Sequence, residues 1–219
     1  MKRYTINLQL ESPTLVGSGE GFGAIIDTDV VFDEVGLPFV PAKRIKGCLR
    51  DSAEEVLEYF GKAGIDLPVA AVSETFGAPG ASSSAPVYFS SLFIEDYERN
   101  RAWFEYLLAA KKYDDILSKE RILDAFTQIR RQTAIGSDGI AYNHSLRTIR
   151  VVNNNVRFVG DLHIEGDDIT ILNTLLLACM NFRRMGGKRN RGFGKVGCLL
   201  FDGEKELSIN ELLEEKCTH

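Results

Sequence analysis

Long apolar runs are missing from this 219-residue chain. The longest, Leu175-Leu176-Leu177-Ala178-Cys179-Met180, falls far short of the roughly 18 residues that a membrane-spanning helix needs. Cysteine is scarce and scattered: Cys48, Cys179, Cys198 and Cys217 never approach CxxC spacing, which argues against a zinc site or a redox pair. Histidine is limited to His144, His163 and His219, and there is no HExxH, no GxxxxGK[ST] and no GxSxG. The usual signatures of zinc proteases, P-loop nucleotidases and α/β-hydrolases are therefore lacking. The first residues alternate Tyr4, Ile6, Leu8 and Leu10 with polar neighbours, which reads as a strand rather than a secretory signal and predicts a cytoplasmic protein with no membrane partner. Asn143-His144-Ser145 matches a glycosylation sequon, which carries no weight without secretion.

What is present is an ordinary globular composition, 44% hydrophobic and 26% charged, in a chain sized for one large domain or two small ones. Its net charge of −5 would by itself discourage a nucleic-acid partner. The distribution reverses that reading. Lys43, Arg44, Lys46 and Arg50 crowd one short segment, and Arg183, Arg184, Lys188, Arg189, Arg191 and Lys195 another, with no acidic residue in either. An acidic body carrying two concentrated basic segments pays self-repulsion unless a polyanion occupies them. The two segments are therefore expected to converge into one cradle for a polynucleotide.

Pro41 suits the entry to a helix whose apolar stripe runs Ile45, Leu49, Ala53, Val56, Leu57 and Phe60, with Lys43, Lys46 and Arg50 projecting together from its polar side. The stretch FGAPGASSSAP at 76–86 reads as a loop, and 87–93 as one strand. Helical segments are expected near 101–112 and 118–126. A long hairpin standing off the body is expected at 129–152, broken by Gly136-Ser137-Asp138-Gly139. A strand at 156–165, a helix opened by Asp167-Asp168, a glycine-rich basic loop and a strand at 195–201 follow. Ser208-x-x-Glu211 reads as the capping box of a terminal helix. Without insertions the order is strand, helix, strand, strand, helix, strand, the split βαβ of a ferredoxin-like α+β sandwich also used by RNA-recognition modules.

Gly192-Phe193-Gly194-Lys195-Val196-Gly197 fits GxGxxG, but a helix precedes it and a strand follows, the reverse of a dinucleotide site. Gly186, Gly187, Gly192 and Gly194 would instead let backbone amides approach a phosphate chain beside Lys188, Arg189 and Arg191. Asp27, Asp29, Asp33 and Glu34 lie between a glycine-rich loop and the first basic cluster. A carboxylate beside a polyphosphate path is unfavourable unless it binds a cation or positions a nucleophile. Asp33 and Glu34 read better as a solvated acidic turn, and Asp27, after Ile25-Ile26, as the carboxylate held in fixed geometry.

Three stretches, in this order over most of the chain, carry a resemblance. They are Gly36-Leu37-Pro38-Phe39-Val40-Pro41 with Arg44-Ile45-Lys46-Gly47-Cys48-Leu49-Arg50, then Thr75-Phe76-Gly77, then Gly186-Gly187-Lys188-Arg189-Asn190-Arg191-Gly192-Phe193-Gly194. Together they resemble the RAMP superfamily of CRISPR effector proteins, especially the small backbone subunit of type III interference complexes. The resemblance implies one domain over 1–219: a modified ferredoxin-like palm with insertions at about 66–128 and a protruding thumb-like hairpin at about 129–152. It implies copies of the chain lined up with other effector subunits along a guide (CRISPR) RNA, the hairpin wedging between guide and target RNA. It further implies metal-dependent cleavage of the target by an aspartate in the loop before the G-L-P turn, with magnesium as the expected divalent metal. Gly23-Ala24-Ile25-Ile26-Asp27-Thr28-Asp29-Val30 is similar to the family's G-A-I-D-S-P-V with one residue inserted, so Asp27 is the catalytic and metal-binding candidate and Asp29 the alternate. Lys43, Arg44, Lys46, Arg50, Arg130, Arg131, Gly187, Lys188, Arg189 and Arg191 are the expected RNA contacts. Ala42-Lys43-Arg44 stands where the family has G-S-S, replacing small hydroxyl donors by long cations. Two alternatives stay open: a structural RNA-binding subunit without activity, and a guide-processing endoribonuclease working without metal through His144.

Overall fold

The computed structural model describes residues 1–19, 21, 25–78, 85–111 and 113–209. Its elements are β1 (Lys2–Leu10), β2 (Phe39–Val40), α1 (Ala42–Lys62), α2 (Val72–Phe76), β3 (Val87–Phe89), β4 (Leu92–Ile94), α3 (Tyr97–Ala110), α4 (Lys119–Phe126), β5 (Thr127–Gln132), β6 (Arg147–Val152), β7 (Arg157–Ile164), α5 (Ile169–Asn181), β8 (Val196–Asp202) and β9 (Lys205–Glu206). The architecture is mixed α+β with antiparallel sheets. A seven-stranded sheet runs β2-β4-β7-β1-β8-β9, with β3 also on β7, and β5-β6 forms a separate two-stranded sheet.

β1 holds the centre because its alternation buries Tyr4, Ile6, Leu8 and Leu10 on one face, with β7 and β8 antiparallel on either side. The helices α1 and α5 pack on each other above that face. Ile45, Leu49 and Ala53 of α1 are fully buried, each leucine-sized side chain contributing roughly 2 kcal/mol by leaving water. α5 starts where Asp168 accepts from the Thr170 amide at 2.9 Å, and buries nearly every side chain from Asn173 to Cys179. Ser52 Oγ donates to the Ala178 carbonyl at 2.8 Å, so even the polar contact between the two helices is satisfied.

Three sequence expectations change. The single strand at 87–93 is two short strands, because Ser90 turns inward: its hydroxyl accepts from the Asp161 amide at 2.7 Å. Gly160 opposite makes room, since a Cβ there would lie 2.4 Å from Leu92 and 2.8 Å from the Ser91 carbonyl. The hairpin does not stand clear of the body along its whole length. Ile149 to Val152 are buried, Thr14 bridges Val152, and Thr28 runs parallel to Ile149, leaving the loop from 133 to 146 largely exposed. Asp33 is not a solvated carboxylate: Oδ1 accepts from the Val35 and Leu37 amides, and Oδ2 from the Tyr97 hydroxyl at 3.0 Å, so it builds the turn before β2, while Glu34 is exposed. The proposed capping box at Ser208-x-x-Glu211 extends outside the described residues. No helix among the described residues is long and apolar enough to cross a membrane.

Beneath the hairpin lies a buried ion pair. Arg150, 8% exposed, places Nε 3.4 Å from Asp29, 4% exposed, and Nη1 3.4 Å from Asp124 of α4. Removing one partner of a buried pair strands the other's charge. Asp29→Ala should lower unfolding stability by about 3 kcal/mol, read from guanidinium denaturation; a loss within experimental error would show that the pair carries no weight.

Candidate nucleic-acid interface

Asp27 sits on the segment that leads from the glycine-rich loop to the turn before β2. Ile26 before it is buried and Ile25 is exposed, so the inserted isoleucine pins the segment and turns the Asp27 side chain outward, 40% exposed. The backbone is stitched to β6: the Asp27 amide donates to the Thr148 carbonyl at 2.8 Å, and the Arg150 amide to the Thr28 carbonyl at 3.1 Å. Asp27 Oδ2 accepts from the Thr148 amide at 2.7 Å, and Oδ1 lies 3.6 Å from Arg147 Nη1. Asp29, two residues on, points the other way into its pair with Arg150, and its Oδ1 also accepts from the Val30 amide.

Arg147 faces Gln132 across the β5–β6 ladder, and Gln132 Oε1 accepts from Lys188 Nζ at 2.6 Å. Asp27, Arg147, Gln132 and Lys188, drawn from three distant parts of the chain, therefore form one strip. Arg147 and Gln132 were not singled out in the sequence, where nothing but the hairpin register could have revealed them. Arg130 and Arg131 are exposed on β5. His144 is exposed in the hairpin loop with φ of 58°; His163 lies half-buried on β7.

The basic loop is held by its glycines in a way the sequence did not suggest. Two of the four do not bare amides for phosphate: the Gly187 amide donates to the Leu15 carbonyl and the Gly194 amide to the Pro13 carbonyl. Gly186 (φ 83°) lets two loops touch backbone to backbone, since a Cβ there would fall 2.3 Å from the Leu15 carbonyl oxygen, and Gly194 (φ 79°) lets the basic loop close on itself, since a Cβ there would fall 2.0 Å from the Met185 carbonyl oxygen. What the loop offers outward is side chains. Lys188, itself left-handed, opens a short 3₁₀ turn over Arg189–Arg191, and Arg184 Nη1 donates to the Arg189 carbonyl, fixing that turn.

Of the first basic cluster, Arg44 lies one helical turn before Cys48, on the flank of α1 that faces Arg184 and Arg189 across a cleft. Arg44 Nη2 donates to the Gly17 carbonyl at 2.7 Å, and Arg44 and Arg189 both bring positive charge to Cys48, whose thiol burial, assisted by Asp51, nonetheless pushes above its ordinary pKa. A cleft of about 750 Å³ opens there between α1 and the segment after α5. Lys46, at ~100° per residue, stands ~160° round the helix from Cys48. Lys43, Lys46 and Arg50 thus occupy a second flank of α1, where Arg50 pairs with Glu54 at 3.1 Å.

A family model for the RAMP superfamily matches residues 7–197. The chain belongs to the RAMP superfamily. Among solved structures, this RAMP protein is similar to a chain of the type III-B Cmr-beta complex bound to cognate target RNA, determined by cryo-electron microscopy. The TM-score is 0.65 at 14% identity, covering 90% of this chain and 96% of that one. A chain of the apo Cmr-beta complex gives 0.63 at 15% identity with the same coverage. At these identities the likeness is one of fold. No curated protein sequence matches this one significantly.

Gly192 (φ 80°) has nothing near its would-be Cβ. Gly192→Ala should therefore cost only the left-handed backbone penalty, about 1 kcal/mol, whereas Gly186→Ala, which must also move the Leu15 carbonyl, should cost distinctly more. Equal losses in denaturant titrations of the two variants would contradict the loop-to-loop packing.

Proposed function

We propose that this RAMP protein is a guide-RNA-binding backbone subunit of a type III CRISPR effector complex, and that Asp27 serves metal-dependent cleavage of target RNA. The observation that carries this reading is the strip Asp27–Arg147–Gln132–Lys188, which sets an exposed carboxylate beside phosphate-binding cations on a segment stitched to the hairpin. Family membership and the likeness to chains of a complex bound to target RNA support it. So does the strand order β4-β7-β1-β8 with α1 and α5 packed together, which suits a ferredoxin-like palm, as the β5–β6 hairpin suits the thumb.

On this reading Lys188, Arg189, Arg191 and Arg44 grip guide phosphates, while Arg130, Arg131 and Arg147 line the path on the hairpin side. Lys43, Lys46 and Arg50, on the other flank of α1, would meet a different stretch of the same RNA or a neighbouring copy of the subunit. Among the described residues no group of three His, Cys, Asp or Glu side chains could enclose a metal. Asp27 fits a magnesium ion only as its single protein carboxylate, RNA phosphates and water completing the shell, which is an ordinary arrangement for that ion. Such an ion supplies charge stabilisation at the scissile phosphate. The chain's own part is to hold the Asp27 carboxylate at a fixed place through the Thr148 amide, where it can orient the 2′-hydroxyl of the scissile nucleotide, and to set Arg147 beside the developing charge. Asp27, outward-facing, suits this role better than Asp29.

One observation favours the structural alternative. The Thr148 amide and Arg147 already engage both Asp27 oxygens, which is also what a purely architectural aspartate would do. Asp27→Asn separates the two readings. It should abolish magnesium-dependent cleavage of a guide-complementary RNA and leave guide binding near wild type; unchanged cleavage would remove Asp27 from the chemistry. Binding itself should weaken steeply as salt rises. Lys188→Ala should flatten the log–log salt slope for a single strand by about 0.7, the amount for one lost phosphate contact; an unchanged slope would place Lys188 off the RNA.

A further inference from the structure

The cleft between α1 and the segment after α5 holds something a phosphate groove does not need. Its rim is cationic, with Arg184 and Arg189 on one side. Its α1 wall presents two carboxylates one helical turn apart, Asp51 and Glu55. Glu55 is committed: its Oε2 accepts from Asn181 Nδ2 at 2.9 Å. Asp51 is exposed and makes no hydrogen bond or ion pair with any described residue, although Arg184 and Arg189 line the same cleft. A carboxylate whose purpose was to neutralise those arginines would pair with one of them. Beside the proposed RNA path it would repel phosphate, a cost that hydrogen bonds from a ligand's N–H groups would offset. The cleft's volume, about 750 Å³, falls in the range of single-ligand sites, roughly 300–1,000 Å³.

We propose that this cleft receives one unstacked guanine base of the bound RNA, with Asp51 accepting from its N1–H and N2–H groups and Arg189 donating to O6 and N7. Guanine is the base that offers two parallel donors to a carboxylate and, on its other edge, the acceptor pair that arginine reads best. Uracil and adenine present neither two parallel donors nor that acceptor pair, and cytosine offers the carboxylate a single amino group. Cys48 contributes a neutral, half-buried wall, and the Asn181–Glu55 contact holds the floor in place. The proposal rests on the RNA-binding reading above and adds base preference to a grip that phosphate contacts alone would leave indifferent to sequence.

The test uses the full chain and fluorescence anisotropy with a 15-nucleotide oligouridylate and the same oligomer carrying one central guanosine, adenosine or cytidine. The guanosine oligomer should bind tighter than oligouridylate by roughly tenfold, adenosine and cytidine by less. Asp51→Ala, an exposed helix position where alanine is well tolerated, should erase that gain while leaving oligouridylate affinity unchanged or slightly higher. Equal binding of the guanosine oligomer and oligouridylate, or a guanosine preference that survives Asp51→Ala, overturns the guanine pocket and leaves the RNA-binding reading standing. No salt-sensitive binding of any oligomer overturns the RNA-binding reading itself, and the pocket with it.

Discussion

The arrangement of the site depends on one buried interaction, the guanidinium of Arg150 between Asp29 and Asp124. It joins three elements far apart in sequence: the segment after the glycine-rich loop, the inner strand of the hairpin and the short helix before that hairpin. A charge taken so far out of water is tolerated only where its counter-charges are fixed, so the pair enforces a register more than it adds stability. With Asp29 drawn inward, the parallel bridge of Thr28 to Ile149 and the Asp27–Thr148 hydrogen bonds follow, and Asp27 has no direction left but outward. Its exposure is a consequence of its neighbour's burial.

The same constraint explains why the site is spread over a strip. Arg147, three residues before Arg150, is carried to the Asp27 side, and its ladder partner Gln132 reaches the basic loop through Lys188. That loop is positioned independently, by backbone contact with residues 13–15 that the missing side chain of Gly186 permits, while Gly194 lets it close on Met185. Two separate devices, an ion pair and a glycine-mediated loop contact, thus meet at one hydrogen bond. Side chains with long, rotatable stems do the meeting, while the short residues do the anchoring.

Much of this was legible in the sequence, where local pattern and tertiary need coincided. The period of two in Tyr4, Ile6, Leu8 and Leu10, and the helical stripe of Ile45, Leu49 and Ala53, each point one face at the core and fix their elements nearly to the residue. The family likewise followed from the G-L-P turn and the basic glycine loop. What could not be read was whatever depends on pairing across distance. Ser90 breaks a strand because Asp161 offers it an amide, and Arg147 becomes a site residue because of what lies opposite it. The glycines misled for a physical reason: a positive φ says that a backbone bends tightly, and not whether its neighbour there is a phosphate or another stretch of the same chain. Charge clustering was similarly blind to angle, grouping Arg44 with Lys46 though ~200° of helical rotation sends them to different flanks.

That division of α1 into two flanks bears on how a polyanion can lie across the molecule. The turn at Arg189–Arg191 rises ~2 Å per residue, so Lys188 and Arg191 are separated along it by roughly 6 Å, comparable with the step between phosphates of an extended strand. On one side of this turn Lys188 reaches Gln132 of the hairpin; on the other, Arg184 and Arg189 border the cleft on α1. On the proposed reading, a backbone lying across the turn would meet its cations, with one nucleotide toward the carboxylate at Asp27 and another toward the carboxylate at Asp51. In a chain of net charge −5, this basic turn and the Lys43–Arg50 flank of α1 are the places where clustered positive charge would draw a polyanion.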